Sequence, residues 1–241
     1  MIYFVSFGSD GAYEELSYQV LRGLSVGYPQ SFYRIYTASD LPRALNEYAQ
    51  TYRRGYGYWT WKPWIVLRTL NMLVDGDILL YVDGRCDLVE FGKPIRWLNE
   101  VVESVQFDLA AWQMGYVEKH WTTQDLISRI AGKDHREVAE TAQLAATFHA
   151  WRVNKRARKL AEHWLNFLIH NPSLCRDNPS LIPNDSKFKE NRHDQSVFSL
   201  LVKVLQRRSL LSVSSLNESQ IRSDNLLPHR KKHPVRKLIE P

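Results

Sequence analysis

The sequence predicts an α/β protein whose mostly parallel sheet is flanked by helices. Three observations carry this. Short apolar runs at residues 2–7, 31–37 and 78–82 have the composition of strands. Between them lie segments with apolar residues at helical spacing. Alternation of this kind implies parallel strands joined by crossovers and covered by helices.

Residues 2–7 (IYFVSF) end at Gly8-Ser9-Asp10-Gly11, a turn. Leu16, Val20, Leu21 and Leu24 then mark a helix over 14–24. After the strand 31–37, Asp40 is placed to cap a helix with Pro42 in its first turn, ending near Arg53. Pro63 opens the next helix, with Ile65, Val66, Leu67, Leu70, Met72 and Leu73 on its apolar face. Asp75-Gly76-Asp77 stops it and turns the chain into the strand 78–82. Residues 94–105 predict a helix and 107–112 a strand, and a cap at Thr122 or Thr123 predicts a helix over 125–130. Residues 137–148 and 156–169 read as helices, and 171–190, with three prolines, as a loop. His193-Asp194 precedes a helix with Val197, Leu200, Leu201, Val204 and Leu205 on its apolar side. From Ser209 the chain turns serine-rich and then basic, which predicts weak order. The expected organisation is one domain over 1–205 and a basic C-terminal tail over 206–241, weakly ordered or associated with a membrane surface.

A chain of 241 residues with 44% hydrophobic and 12% aromatic content has enough apolar surface for a substantial core. Core packing is expected for most of its eight tryptophans, with sugar stacking the alternative for the rest. The net charge of +6 is concentrated at Arg207-Arg208 and in 229–237 (HRKKHPVRK). It fits an anionic ligand or an anionic membrane surface. Nucleic acid is not expected, because no nucleic-acid-binding motif accompanies the charge. Cys86 and Cys175 form no CxxC pair, which argues against structural zinc and a disulfide framework. No apolar run approaches the roughly 20 residues of a membrane span. The N-terminus enters a strand pattern at once, unlike a signal peptide. These points predict a cytoplasmic protein with peripheral contact at the inner face of the plasma membrane.

The densest chemical signal is residues 57–90, GYWTWKPWIVLRTLNMLVDGDILLYVDGRCDLVE. Its apolar strand ends in Asp83-Gly84-Arg85-Cys86-Asp87, and the C-terminal ends of strands are where α/β sheets place ligand chemistry. Asp83 is a candidate to hold a divalent cation that neutralises a leaving diphosphate, and equally a candidate to cap the turn at Gly84. Oxygen ligands suit Mg²⁺ or Mn²⁺. Trp61-Lys62-Pro63-Trp64 sets a cation beside a helix N-terminus, a pairing that suits phosphate. Arg192-His193-Asp194-Gln195-Ser196 offers an imidazole for metal and polar groups for a sugar, or a set of helix caps.

In order and approximate spacing, WTWKPWIVLRTLNMLVDGDILLYVDGRCDL, VEKHWTTQDLI and NRHDQSVFSLLVK resemble bacterial glycosyltransferases of the GT-A fold. These are small enzymes of capsule and lipopolysaccharide O-antigen synthesis, related to retaining transferases with a DxD motif. The likeness covers residues 1–205. It implies a GT-A-like, Rossmann-type sheet and transfer of a sugar from a nucleoside-diphosphate sugar to a glycan or lipid-linked glycan acceptor, with retention. It implies donor and diphosphate contacts at Lys62, Asp83, Arg85, Phe7 and Gly8, and a Mn²⁺ or Mg²⁺ cofactor at Asp83, with His193 and Asp87 as further ligands. Asp194 and Gln195 take the catalytic positions by the donor sugar, and Glu118 and Asp125 are the acceptor candidates. The chain departs from DxD at Arg85, which stands where the second aspartate would be. A guanidinium there pairs well with phosphate oxygens, so less help from metal is needed. The alternatives are a non-catalytic sugar-nucleotide-binding protein of the same fold and a basic nucleic-acid-binding protein.

Overall fold

The computed structural model describes residues 1–103, 107–217 and 225–228. The elements in chain order are β1 (Ile2–Gly8), α1 (Gly11–Gly27), β2 (Phe32–Thr37), α2 (Arg43–Thr51), the single turn α3 (Gly55–Tyr58), α4 (Trp61–Met72), β3 (Ile78–Val82) and β4 (Asp87–Leu88). There follow α5 (Arg96–Glu103), β5 (Leu109–Val117), α6 (Glu118–Trp121), α7 (Gln124–Ala131), α8 (His135–Ala139) and β6 (Ala142–Arg152). The last are α9 (Lys155–His170), α10 (Pro172–Cys175), α11 (Asp194–Arg207), β7 (Val213–Leu216) and β8 (Leu226–Leu227).

The main sheet has the order β2-β1-β3-β6-β5-β7. The pairs β1/β2, β1/β3 and β5/β7 are parallel, while β6 runs antiparallel to both of its neighbours. Alternation along the strands divides the core in two. Val5, Phe7, Leu79 and Tyr81 face α4, α7, α9 and α11, whereas Phe4, Leu80 and Val82 face α1 and α5. Trp97, Trp151 and Trp164 are among the largest fully buried side chains, which bears out a core role for these tryptophans.

Four segments depart from expectation. Residues 137–148 were expected to be helical, yet only α8 is, and the chain from Ala142 to Arg152 is a strand. Ala142, Ala145, Ala146 and Ala150 favour helix intrinsically. Here β6 lies between β3 and β5 and is buried on both faces, so its sequence shows no polar alternation and tertiary pairing decides. Asp40 does not cap α2; its carboxylate accepts from the Thr37 amide instead, and Pro42 holds the cap position. The loop 171–190 contains the short helix α10. Finally, the chain beyond 205 is not uniformly weak in order. Helix α11 crosses that boundary, and β7 adds an edge strand because Leu211 and Leu216 are buried and Ser212 exchanges bonds with Asp108. Buried Leu226 anchors β8 against β4. The basic run 229–237 lies outside the described residues.

Candidate active site

The chain leaves β1 towards β2 on one side of the sheet, and β3 is reached on the other, so a crevice opens between the C-terminal ends of β1 and β3. The turn after β3 is held by Asp83 N–H to the Thr147 carbonyl at 2.8 Å and Cys86 N–H to the Asp83 carbonyl at 2.9 Å. Gly84 lets this turn approach α1: a Cβ there would stand 2.5 Å from Ser17 Oγ. The crevice has two lobes of about 390 and 310 Å³ that share Trp59, Asp83 and Arg85. Phe7, Asp10, Arg53, Tyr56 and Trp61 line the first, and Lys62, Tyr116, His193, Asp194 and Gln195 the second.

Three charged side chains converge on the floor. Lys62, 3% exposed in the first turn of α4, places its ammonium 3.0 Å from the Ala146 carbonyl, 3.3 Å from Asp83 Oδ1 and 3.2 Å from Asp194 Oδ2. A buried ammonium is tolerated only when paired and hydrogen-bonded. Burial drives its pKa down, but Asp194 and Asp83 together outweigh burial and hold it above the usual lysine value. Burial pushes the Asp194 carboxyl up to about 6; Lys62 opposes that rise and Asp83 adds to it. Asp83 Oδ1 also accepts from the Tyr81 hydroxyl, whose ring stacks on His149 at 5.0 Å. His149 Nδ1 in turn accepts from Trp151 Nε1 at 2.6 Å. Full burial, reinforced by the charge of Lys62, keeps His149 well below its usual pKa and therefore neutral.

The wall between the lobes is a left-handed helical turn. Gly55, Tyr56, Gly57, Tyr58 and Trp59 all have positive φ, between 51° and 82°. Tyr58 N–H to Arg54 O (2.7 Å) and Trp59 N–H to Gly55 O (3.1 Å) close it with helical bonds. Glycine accepts this conformation, but Tyr56, Tyr58 and Trp59 each cost about 1–2 kcal/mol. Such strain persists where the surroundings over-determine it. Here Tyr56 Oη donates to Asn46 at 3.1 Å, Trp59 stacks on His193 at 5.6 Å, and Tyr58 Oη and Arg54 Nη1 both reach Asp177 at 2.7 Å. His193 is itself at φ 56° and 2% exposed. Burial, joined by the charge of Arg54, lowers its pKa.

Cation supply around the cleft is uneven. Arg54 pairs with Asp177, and Arg192 with Glu190. The guanidiniums of Arg53 and Arg85 are exposed and make no ion pair or hydrogen bond among the described residues, and both line the first lobe. A divalent cation held by the protein needs several oxygen donors on one point. Lys62 already bridges the two floor carboxylates. His193 bonds the Cys175 carbonyl through Nδ1 and turns Nε2 towards Asp177 at 3.6 Å, and Asp87 pairs with Leu227 in β4. Among the described residues no cluster of three His, Cys, Asp or Glu could hold a metal ion. The described residues do not fit a protein-held metal site: His193 Nε2 faces Asp177, and Asp87 lines neither lobe of the cleft.

The structure therefore brings Phe7, Lys62, Asp83, Arg85, His193, Asp194 and Gln195 into one cleft. Gln195 is held at both ends, accepting from Ala146 N–H at 3.1 Å and donating to Gln143 at 2.8 Å. Four expected residues serve otherwise. Gly8 packs against α1, where a Cβ would stand 2.5 Å from Glu14 Cα. Glu118 is fully buried, ion-paired with Lys203 and bonded by Thr122, Ser199 and Gln143. Asp125 accepts the amides of Leu181 and Ile182 and so secures the loop after α10. Asp87 lies in β4, as above. Arg53, Tyr56 and Trp59 were not singled out as site residues, although Gly55 and Gly57 set two residues apart among aromatics are a signal for left-handed backbone.

No protein-family model matches this chain, and no curated protein matches its sequence. Among solved structures, the galactosyltransferase LgtC in complex with donor and acceptor sugar analogs is similar at 13% identity and a TM-score of 0.48, over 89% of this chain and 73% of that one. A glycosyltransferase involved in glycosylation of the major capsid of PBCV-1 is similar at 12% identity and a TM-score of 0.45, over 78% of this chain and 80% of that one. Glucosyl-3-phosphoglycerate synthase from Mycobacterium tuberculosis, in complex with Mn²⁺, uridine diphosphate and phosphoglyceric acid, is similar at 12% identity and a TM-score of 0.44, over 98% of this chain and 72% of that one. Likenesses at this level carry no argument, and the functional reading rests on the cleft.

Proposed function

We propose that this protein transfers a glycosyl group from a nucleoside-diphosphate sugar to a glycan or lipid-linked glycan acceptor. The observation that carries the proposal is the pair of guanidiniums, Arg53 and Arg85, without a partner among the described residues and facing a switch-point crevice with Asp83 and Asp194 on its floor. Guanidinium groups bind phosphate oxygens through charge-assisted bonds and stabilise the charge that develops as a diphosphate departs. Phe7 and Trp61, stacked at 4.0 Å, give the first lobe an aromatic wall suited to a nucleobase. The second lobe, lined by half-exposed Tyr116 and by Asp194, is the acceptor side in this reading. With a pKa of about 6, Asp194 is ionised at neutral pH and opposes the positive charge that builds on the sugar. The resemblance to capsule and O-antigen enzymes supports a retained anomeric configuration, checked by the anomeric coupling of the product. Contact between the basic tail and an anionic membrane face belongs to the same proposal and is checked by vesicle flotation with and without residues 229–241.

The test is incubation with a panel of uridine-, guanosine-, adenosine- and thymidine-diphosphate sugars, reading release of the nucleoside diphosphate. Release with at least one donor is expected, and its loss in Asp83→Ala and Arg85→Ala. Absence of both binding and release with every donor refutes the proposal. A second reading, sugar-nucleotide binding without turnover, draws on the pairing of both floor carboxylates with Lys62. Donor binding without release on any acceptor would favour it.

A further inference from the structure

Two carboxylates facing an anionic ligand repel it unless a cation stands between them. In this cleft that cation is part of the chain. The Lys62 ammonium has three N–H donors, and three oxygens surround it: the Ala146 carbonyl, Asp83 Oδ1 and Asp194 Oδ2. One hydrogen bond, to the Ala146 carbonyl, and two ion pairs, with Asp83 and Asp194, direct the Lys62 charge at the carboxylates. A metal ion entering between Asp83 and Asp194 would displace an ammonium that is 3% exposed and leave it buried without its partners, a strongly unfavourable state. Tyr81, donating to Asp83 Oδ1, further commits that oxygen. Two residues past Asp83, where another carboxylate would raise cation affinity, Arg85 brings positive charge, and Arg53 faces the same lobe.

We propose that the cleft binds a nucleoside diphosphate without a divalent cation: Lys62 is the resident cation between Asp83 and Asp194, and Arg53 and Arg85 face the diphosphate. This rests on the reading of the cleft as a nucleotide-sugar site. It differs from a metal-bridged site in where the charge resides. The countercharge is fixed by covalent attachment and independent of metal supply, and it is already in place before a ligand arrives.

Two measurements on the full chain test it. The first uses Mn²⁺ alone, followed by the loss of its free electron-paramagnetic-resonance signal. Wild type is expected to show no site that Asp83→Asn removes. Lys62→Met, which frees the two carboxylates, is expected to bind Mn²⁺ at least about tenfold more tightly. A wild-type Mn²⁺ site lost in Asp83→Asn, or equal affinity in wild type and Lys62→Met, overturns the assignment. The wild-type comparison stands even where the variant at 62 folds poorly.

The second measurement is calorimetric titration with uridine, guanosine and adenosine diphosphates, in EDTA and in Mn²⁺. Equal affinity in the two media, with a loss of at least about tenfold in Arg85→Ala, is expected. Binding in Mn²⁺ alone overturns the metal-free proposal and leaves the nucleotide reading standing. No binding in either medium overturns the nucleotide reading itself.

Discussion

The left-handed turn at 55–59 is strained, and Asp177 is one of the groups that hold it. Replacing Asp177 with alanine removes the acceptor of both Arg54 and Tyr58. The three non-glycine residues in the turn cost about 3–6 kcal/mol together, at about 1–2 kcal/mol each. Asp177 offsets part of this through two charge-assisted bonds. Its side chain is 44% exposed, so solvent screening reduces each bond to about 0.5–1 kcal/mol. The expected loss is about 1–2 kcal/mol, which corresponds to a fall in Tm of about 2–8 °C for a chain of this size. Locally the consequence is larger. Opening of the turn becomes about 5–30 times more frequent, and the amides of Tyr58 and Trp59 should exchange with deuterium faster by that factor. Hydrogen exchange by mass spectrometry reads this directly, with peptides from β1 and β3 as the unchanged reference. Unaltered exchange over residues 55–60 in Asp177→Ala would refute the idea that Asp177 holds the turn.

Three further outcomes follow from the same geometry. Gly84→Ala should destabilise by about 1–3 kcal/mol in urea denaturation, because its Cβ would meet Ser17 Oγ at 2.5 Å and Ser17 N at 3.0 Å and push α1 away from the Asp83 turn. Glu118→Ala should destabilise by about 3–5 kcal/mol by leaving the buried Lys203 ammonium unpaired; a change in acceptor KM at unchanged stability would restore Glu118 as an acceptor contact. His149 has a folded pKa well below its ordinary value of 6.5, so its contribution is intact above pH 6.5 and is lost as the pH falls below it, when only the unfolded chain takes up the proton. Asp194, raised to about 6, has the opposite sign: folded chains take up its proton first, and stability rises as the pH falls from 6 towards 3.8. Between pH 7.5 and 5.5 wild type should therefore lose about 1.4 kcal/mol more than His149→Phe, measured by denaturation at the two pH values.

Much of the fold was legible because its signals are local. The strands 2–7, 31–37 and 78–82 and the helix opened by Trp61-Lys62-Pro63-Trp64 lie where composition and spacing put them. β6 was not legible, since its alanines favour helix and only the neighbours β3 and β5 make it a strand. Within the site, Asp83, Lys62 and Asp194 were marked by strand-end and helix-start positions, and they meet. Glu118 and Asp125 looked equally available in the sequence, because whether a carboxylate faces solvent or Lys203 depends on packing over more than 80 residues of separation. Lys62 carries the plainest lesson. A lysine at a helix start predicts a phosphate contact, but in the folded chain its ammonium bonds the Ala146 carbonyl and is ion-paired with Asp83 and Asp194.

The central claim is that Arg53 and Arg85 receive the diphosphate of a nucleotide sugar. Both side chains are exposed, so Arg53→Ala/Arg85→Ala should fold as wild type does. Calorimetric titration of wild type, of this double variant and of Arg68→Ala, a control on α4 whose guanidinium lies over Trp64, tests the claim most directly. At least one nucleoside diphosphate should bind wild type and Arg68→Ala equally and the double variant at least about 100-fold more weakly. Equal binding to all three proteins, or no binding to wild type, would contradict it.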